Sequence, residues 1–341
     1  MNQPLSIGIV GVRGYVGREL LALLANRSDL KVVWVSSRQL KGQTFESLLQ
    51  NDSDYAAEFI APSLAEQHYF QTALIDELSP QQVASKQTDI VILALPNGLA
   101  ADYVSAIEKS TETASANTRL IIDLSADYRF DDHWSYLLPE LADPAFIKNL
   151  QSRSTMLISN PGCYATAMQL AIAPIKEQIK GTVHCFGISG FSGAGTNPSD
   201  NNNPDKLKNN IRPYALVEHL HEKEVAHQLQ TAIRFSPHVA SFFRGINMTL
   251  QVELKQAWTL QKCVEYYAEF YQTSPQIKVT ESIPNVTQVV HQMSALVGGF
   301  SLDASGTRLS LVCCLDNLLK GAASQALQNI CLAMQIPFDQ A

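Results

Sequence analysis

The chain has 341 residues and a formal net charge of −7 at pH 7. Its length favours two domains over one, and its 46% hydrophobic and 17% charged residues are an ordinary balance for a globular enzyme. The acidic charge gives no general attraction to nucleic acid or to anionic lipid, because both require concentrated Lys and Arg. No apolar run reaches the length of a membrane-spanning helix, and no secretory signal is evident. We expect a cytoplasmic protein, which six cysteines without a CxxC pair also favour.

In the first half of the sequence, short β-type runs at residues 5–10, 31–35, 89–95, 119–123 and 156–158 alternate with helical patterns. This alternation is typical of a parallel sheet built from βαβ units. From about residue 181 the β-rich runs have few helices between them, at 183–188, 249–254, 286–290, 296–300 and 309–314. One terminal helix is expected at 318–334, and residues 196–210 form a loop by composition. The sequence therefore predicts an α/β first half and an α+β second half.

Three glycines, Gly11, Gly14 and Gly17, lie between the first predicted strand and the first predicted helix. Glycine lets the backbone turn tightly and approach a pyrophosphate, which the N-terminus of the following helix stabilises. A tight turn alone would also select glycine, but this position between a strand and a helix favours a dinucleotide site. We expect Gly11, Gly14, Tyr15 and Val16 to contact the cofactor.

The residues after the second strand distinguish NAD from NADP. An acidic residue there holds the ribose 2′-hydroxyl of NAD. Here the strand runs into Ser36, Ser37 and Arg38, and a guanidinium beside hydroxyl groups suits a 2′-phosphate. We therefore expect NADP, although an ordinary polar loop would show the same residues.

Cys163 lies in a turn-rich segment that precedes a helical pattern at 167–172. It is therefore expected at or near a helix N-terminus, where the helix dipole and free N–H groups favour a thiolate and can hold an oxyanion. Burial in an apolar core is the commoner fate of a cysteine, and we expect the other five cysteines to pack there. Cys163 is the candidate nucleophile.

A thiolate nucleophile needs a partner for proton transfer, and a helix predicted at 216–229 carries two histidines. His221 and Glu224 are three residues apart and share a helix face, whereas His219 and His221 do not. A carboxylate that orients its ring makes His221 the better acid–base candidate. Two His and one Glu are an incomplete zinc set, so no metal is expected. Solvated surface histidines and an acid–base role for His238 stay open.

Taken together, these motifs resemble the N-acetyl-gamma-glutamyl-phosphate reductase family, within the aspartate-semialdehyde dehydrogenase-like superfamily. The matching stretches span nearly the whole chain, at 11–17, 36–38, 93–98, 123–129, 138–141, 160–166, 192–195, 218–224, 236–238, 244–245 and 316–323. The string Asn-Pro-Gly-Cys-Tyr at 160–164 and the string Asp-Asn-Leu-Leu-Lys-Gly-Ala-Ala at 316–323 are highly specific in combination.

The resemblance implies an N-terminal Rossmann domain plus an α+β catalytic and oligomerisation domain. It places the NADP-binding domain at residues 1–159, completed by a C-terminal helix at 317–341, and the catalytic domain at 160–316. It implies NADPH-dependent reduction of a small-molecule acyl phosphate through a thioester on Cys163, with His221 as acid–base, in a homodimer or homotetramer. The implied substrate ligands are Arg129, Asn160, Ser192, Gly193, His219 and Arg244. The implied cofactor ligands beside the glycine turn are Ser36, Ser37, Arg38, Pro96, Ser125, Gly193 and Asn317.

Three alternatives remain at this point. Aspartate-semialdehyde dehydrogenases have Asn before the cysteine and Gln before the Ser-Gly-Ala-Gly segment, where this chain has Gly162 and Ser189. A relative that reduces an aminoadipyl group on a carrier protein would need a basic docking face, which the acidic charge does not favour. A non-enzymatic NADP-binding sensor would keep the glycine turn but would not need Cys163 with His221.

Overall fold

The computed structural model describes residues 3–44, 74–112 and 118–338. The chain divides into two compact units: unit 1 comprises Met1–Asn160 and Ala326–Ala341, and unit 2 comprises Pro161–Gln325. In the described residues, no helix is both long enough and apolar enough to cross a membrane.

Unit 1 is built on a six-stranded sheet in the order β2-β1-β3-β4-β6-β5, and all of its strand pairs are parallel. The strands are β1 (Leu5–Val10), β2 (Leu30–Ser36), β3 (Ile90–Leu93), β4 (Leu120–Asp123), β5 (Ser135–Tyr136) and β6 (Met156–Ser159). The helices are α1 (Tyr15–Ala25), α2 (Pro80–Ser85), α3 (Ala101–Glu112) and α4 (Pro144–Gln151). Every residue of β3 and β4 is buried, as expected of parallel strands that are covered on both faces.

The loops that follow β1, β2, β3 and β4 emerge at one edge of this sheet, because the strands are parallel. Two of these loops are tied to each other. The carboxylate of Asp127 accepts hydrogen bonds from the backbone N–H groups of Gly98 at 2.6 Å and Ala100 at 3.1 Å. In return, the Asn97 side chain accepts from the N–H of Ala126 at 3.0 Å. The loops after β3 and β4 are therefore held against each other.

Unit 2 is built on a seven-stranded mixed sheet in the order β11-β12-β13-β10-β7-β9-β8. The strands are β7 (Ile179–Gly190), β8 (Ile211–Pro213), β9 (Ile233–Ala240), β10 (Ile246–Leu254), β11 (Ile277–Thr280), β12 (Ala295–Leu302) and β13 (Arg308–Leu315). The helices are α5 (Cys163–Ile172), α6 (Pro204–Leu207), α7 (Leu220–Leu229) and α8 (Leu260–Phe270). A last helix, α9 (Ser324–Met334), begins at the end of unit 2 and belongs mostly to unit 1. All residues of α5 after Cys163 are buried, so α5 is a core helix of unit 2. The predicted combination of an α/β and an α+β architecture is confirmed.

The strand predicted at 286–290 is wrong. The chain forms a 3-10 turn at Val286–Gln288, and the Gln288 side chain accepts from the N–H of Asn285 at 2.9 Å. Val289 then packs into a small cluster with Val312 and Cys314. The β-branched residues that suggested a strand are therefore used for tertiary packing.

Two predicted helices have different bounds in the structure. The helix predicted at 216–229 begins only at Leu220, because Glu218 has a left-handed φ angle of 57°, which a right-handed helix cannot contain. The helix predicted at 318–334 is divided into a π-helical turn, Leu319–Ala323, and α9.

Candidate active site

Cys163 is the first residue of α5, as the sequence predicts. Gly162 is the N-cap, and no side chain caps this end of the helix. Cys163 is half-buried whereas the other five cysteines are buried, and all six are free thiols. Cys163 is therefore the most accessible of the six thiols, and it lies at a helix end that would stabilise a thiolate.

The turn that carries Cys163 is held from two sides. The carboxylate of Glu224, fully buried on α7, accepts a hydrogen bond from the backbone N–H of Gly162 at 2.9 Å. On the other side, the backbone of Gly321 approaches so closely that a Cβ there would lie 2.7 Å from the Cβ of Cys163. The sequence predicts Glu224 as a partner of His221, and its bond to the nucleophile turn could not be foreseen because it joins residues 62 apart.

A cavity of about 250 Å³ lies over Cys163 within unit 2. It is lined by Cys163, Tyr164, Ser189, Gly190, Gly193, Ala194, Asn201, Tyr214, His219, Leu220, His221 and Val239. None of these described lining residues is a Lys, Arg, Asp or Glu. Apolar walls with a few convergent polar groups are typical of a small-molecule site. The structure therefore brings together four of the predicted site residues: Cys163, Gly193, His219 and His221.

His219 is the N-cap of α7, and its ring nitrogen Nδ1 accepts the backbone N–H of His221 at 3.1 Å. An accepting Nδ1 carries no proton, so the neutral ring carries its proton on Nε2. Burial lowers the pKa of His219 from 6.5 to about 4, which keeps the ring neutral at physiological pH. His219 can therefore donate a hydrogen bond to a ligand, but it is a poor proton reservoir.

His221 lies in the first turn of α7, and its ring centroid is 5.0 Å from that of His219 and 6.0 Å from that of Tyr164. Its Nδ1 atom is buried. Because His219 is a neutral helix cap, His221 is the better of the two candidates for proton transfer.

His238 was an alternative acid–base, and it lies on β9 beside Val239. Successive side chains of a strand point to opposite faces, and Val239 is the one that lines the cavity. The His238 ring instead packs against Phe186, with 4.4 Å between centroids, while its carbonyl accepts the Tyr164 hydroxyl at 2.6 Å. The structure therefore gives His238 a supporting position behind Tyr164.

Two tyrosines of the cavity, Tyr164 and Tyr214, were missed by the sequence reasoning. Burial raises the pKa of both phenols well above the ordinary value, so both remain neutral hydroxyls. Tyr164 could have been noticed as the residue that follows the nucleophile. Nothing in the local sequence distinguishes Tyr214, which lies six residues before the α7 helix.

Other predicted substrate and cofactor ligands of unit 2 form a buried network beside the cavity. The Asn317 side chain donates to the Ser192 hydroxyl at 2.9 Å and accepts from the N–H of Gly245 at 2.6 Å. Arg244 makes a buried ion pair with Asp316 at 2.7 Å. Ser192, Arg244 and Asn317 are absent from the described lining of the cavity, whereas Gly193 is part of it.

Arg129 and Asn160, the remaining predicted substrate ligands, lie in unit 1. Arg129 donates from Nε to the carbonyl of Asn160 at 3.0 Å and from Nη2 to the carbonyl of Leu124 at 3.1 Å. The Asn160 side chain accepts from Asn329 of α9 at 2.9 Å. These bonds join the loop after β4 to the end of β6, so both side chains have a structural task in unit 1.

The glycine turn of unit 1 has the geometry that a dinucleotide needs. Gly11 has a φ of +97°, and a Cβ there would lie 2.2 Å from the carbonyl oxygen of Ala94. Gly14 is the N-cap of α1 with no side-chain cap, and a Cβ there would meet nothing within 4 Å. Tyr15 and Val16 follow as the first residues of α1. Open space at an uncapped helix N-terminus suits a pyrophosphate.

The end of β2 and the loop after it carry the predicted 2′-phosphate ligands, and an acidic residue from a distant segment lies beside them. Ser36 and Ser37 are buried, and the Ser36 hydroxyl accepts from the N–H of Leu78. The Arg38 side chain is 87% exposed and lies 3.7 Å from the carboxylate of Glu77. The residues next to Arg38 in the sequence do not reveal this ion pair, because Glu77 lies 39 positions further along the chain.

The last two predicted cofactor ligands, Pro96 and Ser125, follow β3 and β4 at the same sheet edge. Pro96 is exposed and Ser125 is buried. The Ser125 hydroxyl donates to Asp123 at 2.7 Å, and burial raises the pKa of Asp123 to about 6.

The sequence matches a known protein family over most of its length. Residues 6–149 match the family described as "Semialdehyde dehydrogenase, NAD binding domain", and residues 163–317 match "Semialdehyde dehydrogenase, dimerisation domain". The N-acetyl-gamma-glutamyl-phosphate reductase of Xanthomonas campestris pv. campestris is 45% identical over 332 residues, which are 97% of this chain and 96% of that protein. The reductase of the same name from Stenotrophomonas maltophilia is 46% identical over 335 residues, 98% of this chain and 97% of that protein.

Solved structures share the fold at much lower identity. Aspartate semialdehyde dehydrogenase II of Vibrio cholerae, complexed with ASA, has a TM-score of 0.74 at 17% identity and covers 99% of this chain and 100% of its own. Aspartate semialdehyde dehydrogenase of Candida albicans, with NADP, has a TM-score of 0.72 at 13% identity, over 97% and 99% of the two chains. At such identities the likeness shows the fold alone.

We predict that Glu224→Ala slows alkylation of Cys163 by iodoacetamide at least about tenfold. The buried N–H of Gly162 would lose its acceptor, which costs ~1–3 kcal/mol, and the turn would be released. Cys163 would then no longer be held at the helix N-terminus that stabilises its thiolate. Glu224→Gln keeps an acceptor oxygen of the same reach and should alkylate within about threefold of the unmodified protein. Peptide mass spectrometry after timed alkylation measures both rates. An unchanged rate in Glu224→Ala would show that the turn does not depend on this bond.

We also predict a specific pH dependence from His219. Its folded pKa, about 4, lies below the unfolded value of 6.5, so the unfolded chain binds the proton first as pH falls. Stability is therefore fully present above pH 6.5 and is lost as pH falls toward 4. His219→Asn retains a good N-cap. In this variant the unfolding free energy, measured by urea unfolding at a series of pH values, should therefore fall less steeply as the pH is lowered.

A control separates the cap from the charge. At neutral pH, where no proton is exchanged, His219→Ala should have an unfolding free energy ~1 kcal/mol lower than that of His219→Asn, because alanine cannot cap the helix. An acid slope that is the same in His219→Asn and the unmodified protein would assign the loss to other groups.

Proposed function

The chain belongs to the N-acetyl-gamma-glutamyl-phosphate reductase family, and we propose that it catalyses the reaction in that name. N-acetyl-gamma-glutamyl phosphate would be reduced with NADPH to N-acetylglutamate semialdehyde, with release of phosphate, as a step of arginine biosynthesis. The observation that carries the proposal is the position of Cys163: a reachable thiol at an uncapped helix N-terminus, in a cavity with His219 and His221.

In the first half of the reaction, the thiolate of Cys163 attacks the acyl carbon of the substrate. The bond from that carbon to the phosphate oxygen breaks, phosphate leaves, and a thioester remains on Cys163. The helix N-terminus supports both the thiolate and the oxyanion formed on the way. His219, as a neutral donor through Nε2, suits the carbonyl oxygen of the acyl group. Covalent catalysis splits one difficult displacement into two easier steps.

In the second half, the thioester carbon would be reduced by a hydride that NADPH, when bound, would supply. His221 gives a proton to the resulting oxyanion and takes it back when the carbon–sulfur bond of the thiohemiacetal breaks. The aldehyde leaves and the Cys163 thiolate is regenerated. A positioned acid–base of this kind contributes ~10²–10⁴-fold to the rate.

The cofactor site that we propose lies at the carboxyl edge of the unit 1 sheet. The uncapped end of α1 with Gly11 and Gly14 would hold the pyrophosphate. Ser37 and Arg38 would meet the 2′-phosphate of NADP, with Glu77 close enough to hold the guanidinium when the phosphate is absent.

We propose further that the protein is a cytoplasmic homo-oligomer, a dimer or a tetramer. Six free thiols fit a reducing compartment. Unit 2 includes the stretch that matches a dimerisation domain, and it exposes Phe186 on β7. The substrate is a small molecule, and the acidic charge favours neither nucleic acid nor a membrane surface as a partner.

The proposal predicts a phosphate-dependent reverse reaction. With N-acetylglutamate semialdehyde, phosphate and NADP, NADPH fluorescence should rise, and NAD should replace NADP poorly. Cys163→Ser should lower the rate at least ~10³-fold because it removes the nucleophile. The same variant should bind NADPH normally in a fluorescence titration, because Cys163 lies outside the glycine turn of unit 1.

Two results would contradict the proposal. An unmodified protein that binds NADPH but oxidises no semialdehyde would favour a non-enzymatic sensor. Near-normal turnover by Cys163→Ser would exclude the thioester.

A further inference from the structure

The Asn-rich loop before β8 is built by its own side chains. The Asn202 amide donates to the carbonyls of Gly195 and Asn197, both at 2.8 Å, and its oxygen accepts from the N–H of Ser199 at 2.7 Å. One side chain thus closes the loop across its width. Asn201, the neighbour of Asn202, is consequently held in place at the wall of the cavity.

The orientation of the Asn201 amide follows from its partner. Nε of Arg212 lies 3.1 Å from Oδ1 of Asn201, and Nη2 of Arg212 lies 3.0 Å from the carboxylate of Asp200. A guanidinium can only donate, so the oxygen of the amide must face Arg212. The NH₂ group of Asn201 then faces the other way, and among the described residues the bond with Arg212 is the one hydrogen bond that this side chain makes.

The chemistry of the wall indicates what this NH₂ group would bind. The described residues that line the cavity carry no Lys or Arg, so the donors that they offer to an anion are neutral. Among these, Asn201 has its amide oxygen bonded to the guanidinium of Arg212, which is itself paired with Asp200, and this bond leaves the NH₂ group as the donor. Hydrogen bonds to an ionised acceptor are about twice as strong as neutral ones.

We propose that Asn201 is a specificity-determining residue, which donates its Nδ2–H to a carboxylate on the acyl chain of the substrate. Arg212 is the positioning residue that fixes the amide in the donating orientation. This inference rests on the proposed function and extends it, because it assigns a residue to the part of the substrate that does not react.

The test uses the reverse reaction with two aldehydes. N-acetylglutamate semialdehyde carries the carboxylate, and 4-acetamidobutanal lacks it but keeps the acetamido group. Asn201→Asp is isosteric and places a negative charge against the carboxylate. We expect its kcat/KM to fall at least ~30-fold with the first aldehyde, mainly through KM, and less than ~3-fold with the second, as loss of a charge-assisted hydrogen bond implies.

Matched controls keep the result interpretable. Asn203→Asp adds the same charge two positions away, at the N-cap of α6, where Asp and Asn are equivalent. It should leave kcat/KM unchanged with both aldehydes. Asn201→Ala removes the donor without adding charge. Its kcat/KM should also fall more with N-acetylglutamate semialdehyde than with 4-acetamidobutanal, but by a smaller factor than in Asn201→Asp. Arg212→Lys, which lacks the planar fork, should do likewise.

Equal losses with both aldehydes in Asn201→Asp and Asn201→Ala, or no loss with either, would overturn the proposal. A larger loss with 4-acetamidobutanal would also overturn it, by assigning Asn201 to the acetamido group. Failure of the unmodified protein to oxidise N-acetylglutamate semialdehyde would instead overturn the proposed function.

Discussion

The hydrogen bond from the backbone N–H of Gly162 to the buried carboxylate of Glu224 is the constraint on which the site depends. It joins the turn before α5 to α7, the helix whose N-terminus carries the two histidines of the cavity. This bond therefore helps to position Cys163 relative to the two histidines. A charged acceptor makes this bond stronger than an ordinary backbone contact.

A second buried network fixes the opposite side of Cys163. The ion pair between Arg244 and Asp316 has side chains that are 2% and 0% exposed, and breaking such a pair by removing one partner costs ~3–5 kcal/mol. Asp316 also accepts the N–H groups of Leu318 and Leu319, where the π-helical turn begins. That wide turn carries Gly321 to the nucleophile. Short π-helical stretches are frequent at functional sites, and here the stretch brings backbone against Cys163.

Much of this arrangement could be predicted from the sequence where the signal is local. The glycine turn after β1 and the position of Cys163 at a helix start follow from neighbouring residues, and the structure places both as expected. The start of α7 was misplaced because left-handed residues before it leave no mark in the hydrophobic pattern. The contacts of Glu224 and of Arg38 join positions far apart in the chain, so no spacing rule could reveal them. Asn201 was hidden in a loop whose composition indicated only irregular structure.

The proposed mechanism depends on transfer of the acyl group to Cys163. The most direct test mixes the protein with N-acetyl-gamma-glutamyl phosphate in the absence of NADPH, quenches in acid, and locates the acyl group by peptide mass spectrometry. The proposed mechanism predicts one acyl group on the peptide that contains Cys163. When NADPH is added before the quench, this acyl group should be released from the peptide as the aldehyde. An unacylated Cys163, or an acyl group on another residue, in a preparation that turns over would contradict it.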